Sequence, residues 1–136
     1  MRERVRVSHV EVVVFTFVLS VVAVGIVPKF AKANTESRIC NLVDGLEIMR
    51  TQLDLYRVWH DESFPPCDSF ESFETAMTTK IGKYGPYVKN IPVNPFNGLN
   101  TVRFDGGPAG ANKAGWRFDT ETGLFQADNS SVYAGL

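Results

Sequence analysis

A run of apolar residues from Val10 to Pro28 sets the terms for the rest of the chain. The stretch VEVVVFTFVLSVVAVGIVP holds one carboxylate, Glu11, and no other ionisable side chain occurs before Lys29. As a helix rising about 1.5 Å per residue, Val12 to Pro28 covers roughly 25 Å, near the lower end of what crosses a bilayer. The run is therefore predicted to span, or nearly span, a membrane. Glu11 is the awkward residue. A carboxylate deep in such a segment costs about 2.5 to 3.5 kcal/mol and by default points to a partner; the plainer reading makes it the polar edge of the span.

Ahead of the run, MRERVR carries three arginines and one glutamate, like the positive region of an export signal. No small-residue A-x-A-like site follows the run, however; Pro28-Lys29-Phe30 follows, so the segment is expected to stay as an anchor. The arginines predict a cytoplasmic N-terminus, with Lys29 and Lys32 weakening the bias. Setting the run aside leaves about 100 residues, enough for one small core. A net charge of -1 and no cluster of Lys and Arg argue against nucleic acid as a partner.

Past Pro28 the pattern becomes one-sided. Ile39, Leu42, Val43, Leu46, Met49, Leu53, Tyr56 and Trp59 recur at steps of three or four, while Arg38, Asp44, Glu47, Arg50, Asp54 and Arg57 take other faces. Glu47 with Arg50 and Asp54 with Arg57 are spaced to pair along a helix, each adding a few tenths of a kcal/mol. The lone Gly45 does not stop it, at a cost of about 1 kcal/mol against alanine. The simplest expectation is one helix from about Ser8 to Trp59, roughly 75 Å long. Pro28, which has no N–H and sits near Gly25, predicts a kink or a meltable turn.

His60 to Pro66 ends the helical pattern, and Asp68 or Ser69 can cap a short helix with Phe70, Phe73 and Met77 on one face. From Lys80 to Gly98 the density of Gly and Pro predicts an ordered loop. Thr101 to Phe104 is β-prone; Gly106 to Gly115 reads as a flexible loop; Trp116 to Phe118 and Leu124 to Ala127 flank an Asp119–Gly123 turn as in a hairpin. Two or three antiparallel strands are too few to stand alone and would use the long helix as a second layer.

Three ordered matches give the chain a resemblance. Glu11 lies seventeen residues before Pro28 inside the apolar run, followed by KFAKAN; Leu55-Tyr56-Arg57 leads to Phe64-Pro65-Pro66; and Gly85-Pro86-Tyr87-Val88-Lys89 precedes Ile91-Pro92 and Asn94-Pro95-Phe96-Asn97-Gly98. In this order they resemble the type IV pilin-like family, most closely the major pseudopilins of type II secretion systems. The resemblance implies an α+β, pilin-like fold: a long N-terminal helix, membrane half plus amphipathic half, packed on a small antiparallel sheet of 2-3 strands.

The domain plan it implies is a basic leader (1–6), a transmembrane or filament-core helix (7–33) and a periplasmic head (34–136). Within the head, 34–60 is the amphipathic half of the helix, 61–100 the short helix and Pro/Gly-rich loop, 101–128 the hairpin region and 129–136 a loose tail. The implied function is a subunit of a periplasmic filament that grows from the bacterial inner membrane to drive protein export. Its partners would be copies of itself, other pseudopilins, the inner membrane and the secretion assembly machinery. Glu11 and Pro28 would serve filament assembly, Glu11 by meeting the amino-terminal nitrogen of a neighbour.

Two departures from the family pattern stand in the sequence. Prepilin cleavage and methylation would fall at Arg6/Val7, but the family's glycine and phenylalanine at that junction are both missing, so the arginines or His9 would have to serve as partners of Glu11. Major pseudopilins often hold a calcium ion in a C-terminal loop rich in Asp and Gly. Here FDTETG and QADNSS offer Asp119, Glu121 and Asp128 without the dense spacing that six to eight oxygen ligands need, so calcium is not carried over and Asp119 to Gly123 reads as a turn.

His60, Asp61, Glu62, Cys67 and Asp68 cluster in sequence but fit no zinc pattern and have no second ligand pair, so the chain does not read as an enzyme. If the helix reaches His60, Cys67 would have to return roughly 30 Å toward Cys40 with seven residues that span at most about 25 Å, which excludes an intramolecular bridge. Two other functions compete with the filament subunit. One is a membrane-anchored adaptor whose aromatics Tyr84, Tyr87, Phe96 and Trp116 bind a ligand; the other is a minor pilin at a filament tip.

Overall fold

The computed structural model describes Arg6 and residues 8–136, with the backbone alone for residues 22–31. Two helices and three short strands follow in the order α1 (His9–Trp59), α2 (Phe70–Thr78), β1 (Val102–Arg103), β2 (Trp116–Phe118) and β3 (Phe125–Ala127). The chain divides into two units, Met1–Ser37 and Arg38–Leu136, and α1 contributes to both.

In the first unit, α1 opens on a reciprocal cap. Ser8 Oγ accepts the Val10 N–H at 3.2 Å, and Glu11 Oε2 accepts the Ser8 N–H at 2.9 Å. This is a variant of the Ser-x-x-Glu capping box in which the serine serves the second helical N–H, and it satisfies donors that the first turn leaves without partners. Further on, the Thr16 hydroxyl donates to the Val12 carbonyl and the Ser20 hydroxyl to the Thr16 carbonyl, both at 2.8 Å. The two hydroxyl side chains between Val10 and Val21 are thus folded back on the helix, and the apolar side chains around them stand exposed.

In the second unit, Leu42, Leu46, Met49, Leu53 and Tyr56 are buried at alternating steps of four and three, the spacing that holds one face of a helix against a core. They pack with Phe73 and Met77 of α2, Ile91, and the sheet residues Trp116, Phe118 and Phe125. Gly45 has a packing reason: a Cβ there would stand 3.2 Å from the Trp116 ring and 3.4 Å from Pro92. Helix α2 is capped by Ser69, whose Oγ accepts the Ser72 N–H at 3.1 Å.

Strands β2 and β3 pair antiparallel, Trp116 opposite Ala127 and Phe118 opposite Phe125. Strand β1 pairs parallel with β2, Val102 opposite Trp116. The expected fold is therefore corrected on its sheet, which is mixed rather than antiparallel. The reason lies in the connection: β1 ends at Arg103 and β2 begins at Trp116, and the intervening dozen residues allow a crossover that a two-residue turn would not.

The membrane half is corrected as well. Among the described residues, no helix is long and apolar enough to cross a membrane. The second part of the predicted span, and with it the Pro28 side chain, falls within residues 22–31 and lies outside the described side chains.

Candidate functional site

The residues singled out in the sequence fall in separate places. Glu11 is in the first turn of α1, and the bond it makes is to its own chain at Ser8. Among the described residues no ion pair joins it to Arg6 or His9. Val7, half of the supposed processing junction, lies outside the described residues; the backbone at Pro28 is helical. The Ser8-x-x-Glu11 spacing is the local signal for this cap, which gives the carboxylate a hydrogen-bond donor within its own chain.

The loop motif from Gly85 to Gly98 is held from inside. The Tyr87 and Val88 N–H groups donate to the Met77 carbonyl at 2.9 and 3.0 Å, tying the loop to the end of α2. Gly85 follows with φ +77, and a Cβ there would lie 2.7 Å from the Thr79 carbonyl oxygen; the Gly85–Pro86 peptide is cis. The Pro92 carbonyl accepts the Trp116 indole N–H at 2.7 Å. Asn94 is fully buried. Its Nδ2 donates to the Gly115 carbonyl and to Asn129 Oδ1, and its Oδ1 accepts the Phe96 N–H. Phe96, beyond Pro95, stacks on Tyr133 at 4.6 Å between centroids, and Gly98 (φ +71) donates its N–H back to the Asn94 carbonyl. These residues form the joint between loop and sheet.

A second fully buried polar centre is Asp128, which bears no solvent exposure. Its Oδ1 accepts from the Gly110 and Ala111 N–H groups (3.0 and 3.2 Å) and from Arg103 Nη2 (2.7 Å), and its Oδ2 accepts from the Lys113 and Ala114 N–H groups, both at 3.0 Å. Burial pushes this carboxyl upward, but the Arg103 guanidinium and the Ala114 and Lys113 N–H groups outweigh it and hold the group below the usual carboxylate range. Arg103 also donates to Asp105 Oδ1 and to the Pro108 carbonyl, while its Nε is buried with no partner. The long loop between β1 and β2 is thus wrapped around one ion pair, not the flexible segment expected for Gly106 to Gly115.

That arrangement bears on calcium. The hydrogen bonds to Asp128 all come from N–H groups, those of Arg103 and of the loop backbone. Asp119 Oδ1 accepts the Glu121 and Thr122 N–H groups at 2.9 and 3.2 Å, as an Asx turn does, and its Oδ2 accepts from Arg117. Those N–H groups hold Asp119 below its ordinary pKa. Among the described residues, no three His, Cys, Asp or Glu side chains are grouped to hold a metal ion.

The His60–Asp68 cluster is also dispersed. His60 Nδ1 lies 2.9 Å from the Tyr56 carbonyl, which makes it the protonated nitrogen, and its ring stacks on Tyr56 at 3.9 Å. Glu62 pairs with Arg57 at 2.6 Å, Asp68 accepts from the Ser72 hydroxyl, and the Cys67 thiol donates to the Pro65 carbonyl. Burial, with Asp68 beside it, pushes that thiol up to about 11. Cys40 and Cys67 are both free thiols.

The expected pairs of Glu47 with Arg50 and Asp54 with Arg57 are replaced: Arg50 donates to the Phe125 and Leu136 carbonyls, and Arg57 turns to Glu62. The four aromatics proposed as a ligand site do not converge. Trp116 is buried on Phe125, Phe96 is on Tyr133, and Tyr84 and Tyr87 lie against His60.

Together these features define an α+β head with a self-contained polar network, joined in sequence to an apolar helical segment. Comparison with family models, curated proteins and solved structures finds no match to this chain.

Proposed function

We propose that the chain is a structural subunit of a pilus-like filament, of the kind that type II secretion systems use to drive protein export. In this reading the N-terminal segment rests in the bacterial inner membrane with the head on the periplasmic side, and then packs against the same segment of other copies. The observation that carries the proposal is the apolar surface of the first unit: nine side chains between Val10 and Val21, each 52 to 70 % exposed. A contiguous surface of that kind marks contact with a membrane or with protein. The sequence matches at Glu11, Phe64-Pro65-Pro66 and Gly85 to Gly98 give the partner class its specificity.

Glu11 supplies the test, because capping and pairing make different demands on it. Glutamine also closes a capping box, so Glu11→Gln keeps the helix start while removing the charge. If a neighbour's cation meets Glu11, Glu11→Gln and Glu11→Leu both lose filament incorporation while membrane extraction stays unchanged. Normal incorporation of Glu11→Leu, read by shearing and sedimentation of filaments, sinks the proposal in favour of a tethered adaptor.

A further inference from the structure

One cavity of the second unit takes no part in the polar networks around Asn94 and Asp128. It holds about 210 Å³ between the C-terminal part of α1, the turn that follows and the β2–β3 hairpin. Three charged side chains, Arg50, Asp54 and Arg57, line it together with Leu53, Phe64 and Leu124. At about 100° per residue the three charges fall within roughly 60° of one face of α1, with Asp54 between the arginines in sequence.

These charges do not cancel one another. Arg50 donates to the Phe125 and Leu136 carbonyls, and Arg57 donates from Nη2 to the exposed Glu62 at 2.6 Å. Asp54 is spaced to pair with either arginine, yet among the described residues it has no hydrogen bond or ion pair through its side chain. Arg57 Nε is buried with no partner. The cavity therefore holds an anion and a cation about one helical turn apart, each with hydrogen-bonding capacity unused, beside an apolar wall. That wall is fixed. The Phe64 ring lies 5.0 Å from the Arg57 guanidinium, meets Phe118 edge-on at 5.3 Å, and covers Gly123 so closely that a Cβ there would stand 2.7 Å from it. Leu53 is buried and Leu124 is 52 % exposed, so the wall runs from the core to the surface.

We propose that this cavity binds an apolar α-amino acid as its zwitterion. The ligand carboxylate accepts from Arg57 Nη1, the ammonium donates to Asp54, and the side chain lies against Leu53, Phe64 and Leu124. Cavities for drug-sized ligands start at about 300 Å³, and a mostly apolar lining with a few placed polar groups is their general pattern. A cavity of about 210 Å³ suits a smaller molecule, of the size of leucine. A simple carboxylate would meet Asp54 with like charge, and a simple amine would meet two arginines. A molecule bearing both charges matches all three side chains. The site uses no residue of the apolar run, so it stands or falls independently of the filament reading.

Titration of the isotope-labelled full-length chain in detergent micelles with L-leucine tests the site, read by the NMR shifts of the amides of Asp54, Arg57 and Leu124. Leucine should bind about tenfold or more tightly than isocaproate or isoamylamine, which keep its apolar body and lose one charge each. Asp54→Asn, at an exposed position without a folded-state partner, keeps the fold and should weaken leucine binding about tenfold, as should Arg57→Gln. Glu47→Gln, elsewhere on α1, should leave it unchanged. Isocaproate binding as tightly as leucine overturns the inference, as does an unchanged leucine affinity in Asp54→Asn. The absence of amide shifts up to about 10 mM leucine overturns it as well.

Discussion

Replacing Asp128 by alanine should unfold the C-terminal half of the head more than any surface change could. The substitution removes the acceptor of four main-chain N–H groups and leaves Arg103, whose side chain is only 9 % exposed, without its buried partner. Breaking a buried ion pair from one side costs about 3–5 kcal/mol, and each buried donor left unmet costs about 1–3 kcal/mol unless water reaches it. These costs are not additive within one network, so the ion-pair figure sets the scale, at about 4 kcal/mol. For a head of this size, at about 4–8 °C per kcal/mol, Tm falls by roughly 16–32 °C. Urea unfolding followed by tryptophan fluorescence measures it, with Asp105→Ala as the exposed control. A loss for Asp128→Ala within about 1 kcal/mol of the parent would refute the account.

The same centre fixes a pH dependence. The folded pKa of Asp128 is depressed below the ordinary aspartate value near 3.9. The unfolded chain therefore binds this proton more readily, and the stabilisation is present above about pH 4 and lost as pH falls through the folded pKa. An Asp128→Asn chain should show a flatter acid limb, and an unchanged limb would assign acid unfolding elsewhere.

Cys67, with its thiol pushed to about 11, should react with iodoacetamide at pH 8 much more slowly than the exposed Cys40, a difference that peptide mass mapping resolves. Gly115→Ala should cost about 1–3 kcal/mol or more, since its Cβ would lie 2.1 Å from the Leu99 carbonyl oxygen, and a parental urea midpoint would contradict that. Trp116→Phe gives up the indole donation to Pro92 and should cost about 1–3 kcal/mol by the same measurement, mainly through the carbonyl left without its donor.

The parts of the head that the sequence made legible are those with a local period. Leu42 to Tyr56 recur at helical steps and are buried, and Trp116–Phe118 with Phe125–Ala127 pair across the Asp119–Gly123 turn. What was illegible is non-local. The parallel pairing of Val102 with Trp116 depends on a loop path, and short strands carry no mark of which neighbour they take. Gly106 to Gly115 reads as flexible from composition because the group that orders it, Asp128, lies many residues downstream and acts through backbone N–H groups that any residue supplies. Gly45 looks like a propensity cost until Trp116 is set over it. The Ser8–Glu11 cap is legible in the sequence, since Ser-x-x-Glu is a local signature.

That cap changes what Glu11 can be asked to do. A carboxylate bonded to the Ser8 N–H is already placed at the positive end of a helix, where negative charge is favoured by about 0.3–1 kcal/mol. This offsets only part of the penalty for taking the group into lipid, about 2.5–3.5 kcal/mol at the centre of the bilayer. The two numbers divide the possibilities by depth. Near the interface the cap suffices and Glu11 is structural. Deep in an apolar bundle the remaining cost needs a cation, and the charge becomes the feature that tells one neighbouring copy where to stop. The comparison of Glu11→Gln with Glu11→Leu separates these depths, because glutamine satisfies the cap in both settings but the cation in neither.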